Sequence, residues 1–195
     1  MIWRFGTSLC LALVAAITAA AAHGQETSGF QAEYLYEFVP LGQHLVQLAG
    51  AMPADKYGWR PRTGVRSVSE VYVHVAGGNF LLLSLTGVKL PAEYFPGIKP
   101  TANGGPDPNA IFHRTTELEK TVTNKDQVQQ ILKESLDAVR EQLSKLTPED
   151  LDKPADFFGH KTTVRGIYLR IFAHLNEHYG QSIAYARVNG VVPPW

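Results

Sequence analysis

Apolar residues recur every three or four positions in four separate stretches, and this period restricts the chain to helices packed through one face each. Leu35, Phe38, Leu41, Leu45, Leu48 and Met52 form the first stripe, with Pro40 inside it. A proline there predicts a helix that starts late or kinks, because it lacks the amide proton for the intrahelical bond. Ser67-Val68-Ser69-Glu70 has capping-box spacing and opens a second helix, with Val71, His74, Gly78, Leu81 and Leu85 on one face. A third stripe, Val128, Leu132, Leu136, Val139, Leu143 and Leu146, predicts a helix over residues 124–146. A fourth helix is expected over residues 163–188, stopped by Asn189-Gly190 with Pro193-Pro194 beyond.

Between the second and third helices, residues 88–122 carry Pro91, Pro96, Pro100, Pro106 and Pro108 and read as one long connection. A connection of that length is functional or a crossover. It lets the third helix run parallel to the second, and it is expected to pack over one end of the bundle. Residues 156–162 read as a loop or short hairpin. No alternating run is long enough for a sheet. The fold class is therefore all-α, a four-helix bundle with one long connection.

The first 24 residues stand apart. Arg4 precedes an apolar run over residues 9–22, followed by the small residues Ala20-Ala21-Ala22-His23-Gly24. That is the pattern of a secretory signal peptide, and the run is shorter than the roughly 20 residues of a membrane span. The reading divides the chain into a signal peptide, 1–24, and one bundle domain, 25–195, exported to the periplasm or secreted and with no stable membrane span. Cys10, the one cysteine, lies within the signal, so disulfides and cysteine-rich zinc modules are excluded. Lys plus Arg and Asp plus Glu both number 18, and a formal net charge of zero argues against a nucleic-acid partner.

The chemistry concentrates in His174-Leu175-Asn176-Glu177-His178. Residues four apart lie one above the other on a helix, so both histidines share the inward stripe with Ile167, Ile171, Gln181, Tyr185 and Val188. His74 takes the corresponding place on the second helix. Buried neutral imidazoles need partners, and no carboxylate is evident on their face. A divalent ion would accept all three lone pairs and keep a position open for water or substrate. The ligating nitrogens are then expected roughly 3–3.5 Å apart. The inverted zincin motif H-x-x-E-H fits poorly: no acidic residue follows Glu177 to complete the ligands, and Glu177 sits about 100° around the helix from His178. A di-iron carboxylate site is excluded because the chain has no Glu-x-x-His pair.

Val71-Tyr72-Val73-His74-Val75-Ala76-Gly77-Gly78-Asn79 and His174-x-x-x-His178-Tyr179-Gly180-Gln181 resemble the DinB-like (YfiT-like) superfamily. The turn 52–57 and the ending 185–194 are similar too. The resemblance implies an up-down-down-up bundle, often a homodimer, with a metal triad at His74, His174 and His178 for zinc, nickel or another divalent ion. An export signal departs from the usual cytosolic member. Metal-dependent hydrolysis of a small molecule is the leading expectation. Thiol S-transfer, which some relatives perform, and non-catalytic metal or small-ligand binding are the alternatives.

The remaining candidates divide by position. His44 is expected in core or at surface, and His113 and His160 in solvated loops. Gly77-Gly78 give room for a ligand or for close helix packing. Asn79, Gln181, Tyr185 and Arg187 are polar handles near the stripes.

Overall fold

The computed structural model describes residues 29–101 and 105–195. The proposed signal peptide, with Cys10 and His23, and the Asn103-Gly104 turn lie outside the described residues. The elements are α1 (Phe30–Ala51), α2 (Val68–Ser84), α3 (Pro108–Thr121), α4 (Lys125–Leu143), the single turn α5 (Pro148–Leu151), the hairpin β1 (Pro154–Phe157) and β2 (His160–Thr163), and α6 (Val164–Val188). Helices α1, α2, α4 and α6 form the bundle, with α1 and α2 each packed on both α4 and α6.

Side-chain links fix the helix directions. Lys125 at the start of α4 donates to the carbonyls of Gly50 and Met52 at the end of α1, so these two run antiparallel. Tyr185 near the end of α6 donates to the carbonyl of Arg66 just before α2, so that pair is antiparallel too. Tyr57, whose carbonyl accepts from the amide of Ser69 at the start of α2, also lies under Lys125, so α2 and α4 start at the same end. The order is up-down-down-up, as the family resemblance implied.

The caps explain where the helices begin. Ser67 closes a full capping box with Glu70. Asn124 accepts from the amides of Asp126 and Gln127, and Thr163 from that of Gly166. Helix α1 has no side-chain cap and begins at Phe30, well ahead of Pro40, so the expected late start is corrected. Packing outweighs the proline: Tyr34 and Phe38 are buried and stacked 5.3 Å apart, while Pro40 sits on the exposed face, where water can satisfy the freed carbonyl.

The largest departure from the sequence reading is α3. Residues 88–122 are not a plain connection; Asp107-Pro108, read as turn chemistry, is an N-cap followed by proline in the first turn. The physical need for α3 lies in α2, which is buried nearly all round. A helix apolar on every side must be covered on every side. Helix α3 lies along α2, not over an end of the bundle, and buries Ile111, Thr115, Leu118 and Glu119. His113 is accordingly on this helix, exposed, and not in a loop. Val188, placed on the inward stripe of α6, is exposed.

The hairpin is present, with Phe157 paired to His160 across the turn Phe158-Gly159. His160 is exposed, and His44 is half-buried against Trp195, ring centroids 4.5 Å apart. No helix among the described residues is long and apolar enough to cross a membrane.

Candidate metal centre

His74 reaches the site from α2, and His174 and His178 from successive turns of α6. Their ring centroids are 4.7–4.9 Å apart. One nitrogen from each ring lies within 4.8 Å of the other two, and the Nε2 atoms of His74 and His174 are 3.1 Å apart. The three residues named from sequence are thus brought together, with one pair inside the expected spacing. Gly78 makes this approach possible: a Cβ there would run into the His174 imidazole.

The partner that sequence reasoning missed is Glu119. Its Oε1 accepts from His74 Nδ1 at 2.8 Å, and its other oxygen accepts from Arg66 Nε at 2.7 Å. The expectation that no carboxylate serves the histidines is corrected: the carboxylate comes from α3, whose helical signal lay hidden in the proline-rich connection. Ile111, Thr115 and Leu118, spaced by four and three, were the available clue.

On α6, His178 Nδ1 donates to Gln181 Oε1 at 2.8 Å, the Gln181 amide donates to Tyr185 at 3.0 Å, and the Tyr185 hydroxyl donates to the Arg66 carbonyl at 3.1 Å. Gln181 and Tyr185 therefore support the site as polar handles. Asn79 and Arg187 do not: Asn79 is buried against Ser135 of α4, and Arg187 is exposed. Gly77 serves close packing, since a Cβ on it would strike Thr115 of α3.

These bonds decide tautomers. A carboxylate or amide oxygen at Nδ1 holds the proton there and turns the Nε2 lone pair of His74 and of His178 inward. His174 Nδ1 is buried with no hydrogen-bond partner among the described residues. Burial, and then the neighbouring His178 and His74, push the His174 pKa down to about 3. Burial likewise lowers that of His178, against the raising effect of the Gln181 bond. Burial works to raise the Glu119 pKa, but the hydrogen bonds from His74 and Arg66 prevail and lower it. The site at neutral pH is thus two imidazoles held neutral beside an ionised carboxylate. Two inward lone pairs, with a third ring in reach, suit a cation that prefers nitrogen donors, so the cluster could hold a metal ion.

The histidines form part of the wall of a cavity of about 510 Å³. Arg66, Thr115, Phe112, Phe158 and the Arg170–Glu177 pair line it as well. Glu177 is exposed and pairs with Arg170 at 3.3 Å, consistent with discarding it as a zincin base.

The DinB superfamily profile matches residues 37–182, and the chain belongs to that superfamily. The crystal structure of a DinB-like protein from Bacillus cereus ATCC 10987, at 2.01 Å, is similar, with a TM-score of 0.52. It is 16% identical, and the match covers 83% of this chain and 94% of that one. At that identity the likeness speaks for the fold. No curated protein matches the chain.

Proposed function

We propose that His74, His174 and His178 hold a divalent ion, zinc or nickel, and that the protein is an exported metal-dependent hydrolase of a small molecule. The observation that carries this reading is the convergence of three imidazole nitrogens within 4.8 Å on a cavity wall, two of the rings oriented by Glu119 and Gln181. Bound there, the ion would supply a Lewis acid that polarises a substrate oxygen and makes water a stronger acid. Three neutral ligands would leave its charge undiminished. The chain's own residues do the rest: Glu119 and Gln181 fix ring orientation and tautomer, Arg66 anchors Glu119, and the apolar wall limits water around the substrate. Export is supported by the pattern of residues 1–24 alone, and a homodimer by the family resemblance.

One observation favours a second reading, a non-catalytic metal or small-ligand binder. Among the described residues, the two carboxylates at the site are both engaged, Glu119 with His74 and Arg66, and Glu177 with Arg170. Thiol S-transfer remains the other enzymatic alternative.

The test is metal analysis of the protein from its own compartment, followed by turnover assays on ester, amide and thiol-transfer substrates. Hydrolysis that is lost on chelation, restored by zinc or nickel and missing in His174→Ala supports the hydrolase. Stoichiometric metal without turnover of any substrate supports the binder. A metal-stripped wild-type protein that takes up neither ion, with a melting curve unmoved by both, ends the site assignment.

A further inference from the structure

The cavity beside the histidines changes character along its length. On α2 the wall runs from His74 through Gly78 to Leu81 and Leu82; on α3 it runs from Thr115 to Phe112, with Glu119 one turn beyond Thr115 and bonded to His74. Each step is close to one helical turn, about 5.4 Å. One end is thus imidazole, the middle Thr115, and the far end apolar.

Two details in this gradient have no structural purpose of their own. Thr115, which lines the cavity, is 5% exposed, and among the described residues its hydroxyl has no hydrogen-bond partner. A buried unpaired hydroxyl is unfavourable for folding, and a rotation about χ1 would offer this one to a polar ligand atom in the cavity. Phe158 occupies the hairpin turn with φ of 52°, next to Gly159 at 87°. A turn with both central residues in the left-handed region favours Asn, Asp or Gly, and a bulky aromatic there is strained. Phe158 nonetheless stands 51% exposed on the cavity wall, as Phe112 stands 50% exposed. Strain at such a position points to function.

Charge narrows the headgroup. Arg66 is offset by Glu119 at 2.7 Å and Arg170 by Glu177 at 3.3 Å, so these charged side chains around the cavity cancel. A divalent ion at the histidines would then leave the site positive and in want of an electron-rich oxygen ligand such as a carbonyl.

We propose that this cavity takes a small carboxylic-acid derivative with an aromatic or branched apolar body, its oxygen head beside the histidines and Thr115 and its body against Phe112 and Phe158. The inference rests on the metal reading of the three histidines and names the substrate class for that site: esters or amides of apolar acids.

The test uses zinc-loaded protein titrated by calorimetry with acetohydroxamate and benzohydroxamate, which share a zinc-binding head and differ in body. Benzohydroxamate is expected to bind about tenfold more tightly, from apolar surface buried against the two phenylalanines. Phe158→Asn should erase most of that preference while leaving the melting temperature unchanged or raised, because asparagine suits the turn. Thr115→Val should weaken both hydroxamates about fivefold and keep the preference, with folding undiminished because an unpaired hydroxyl is removed. Equal binding of the two hydroxamates by zinc-loaded wild type, or an unaltered preference in Phe158→Asn, overturns this inference alone. Failure of the wild type to take up zinc overturns the metal reading and this inference with it.

Discussion

Helix α6 carries two buried polar clusters that obey different rules. Near its start, Tyr168 packs edge-on against Tyr34 at 5.7 Å, and Phe38 and Phe172 complete the group. Among the described residues, the buried hydroxyls of Tyr34 and Tyr168 have no partners. Burial pushes both above the usual tyrosine range, so they stay neutral. Further along, two of the three histidines are the reverse: Nδ1 of His74 and of His178 is matched to a specific acceptor. The difference teaches what each cluster is for. At the tyrosines the ring area stabilises the bundle and the hydroxyls are tolerated. At the histidines hydrogen bonds spend their direction on orienting nitrogen lone pairs, which core packing does not require.

If that contrast is right, the largest effect on folding comes from the aromatic end. Tyr168→Ala should destabilise the protein by about 3–5 kcal/mol, the range for truncating a buried aromatic, as read by denaturant unfolding. Its zinc affinity, measured under conditions where it is folded, should match wild type. Loss of both together would mean the two clusters are one cooperative unit.

Acid separates the clusters next, in metal-free protein. The folded-state pKa of His174 lies near 3, below the usual 6.5, so the unfolded chain takes up its proton first. The stability is therefore full above pH 6.5 and declines as pH falls from there toward 3. By pH 5 the loss from this one group is about 2 kcal/mol, at 1.36 kcal/mol per unit below 6.5. His174→Gln should flatten that part of the profile, whereas Tyr168→Phe should leave its shape intact. A wild-type curve level between pH 7 and 5 would contradict the burial of a neutral imidazole.

Glu119→Gln tests the orienting role. The amide can still accept from His74, but the charge that favours the Nδ1–H tautomer and grips Arg66 is gone. Zinc affinity should fall about 10- to 100-fold, the range for partners that orient a ligand. An unchanged affinity in competition with a chelator would reduce Glu119 to an ion pair of the fold. The smallest effect belongs to Tyr34→Phe. Removing a hydroxyl with no partner should change stability by about 1 kcal/mol or less, in either direction, and leave metal uptake untouched. A larger loss would reveal a water or backbone partner for that hydroxyl.

How much of this was legible in the residues varies with the range of the interaction. The capping box at Ser67, the start of α4 beside Asn124 and the helix limits of α6 follow from contacts within a few positions, and local chemistry states them in advance. Pro40 misled because a local penalty was overruled by packing of Tyr34 and Phe38. Asp107-Pro108 misled in the other direction, since the same residues suit a turn and a helix start. What decides between those is whether an apolar stripe follows that something else needs to bury.

The i, i+4 spacing put His174 and His178 on one face of α6, and the stripe on α2 pointed His74 inward; helical geometry alone determines that much. That the third ring meets the other two was a decision of the bundle, because periodicity sets the angle of a side chain around its own helix and says nothing of which helix stands opposite. The same holds for Glu119, 45 residues from His74 in the chain yet 2.8 Å from its ring. Its place follows from α2 needing cover on its remaining side, a demand that exists only once the other helices are packed.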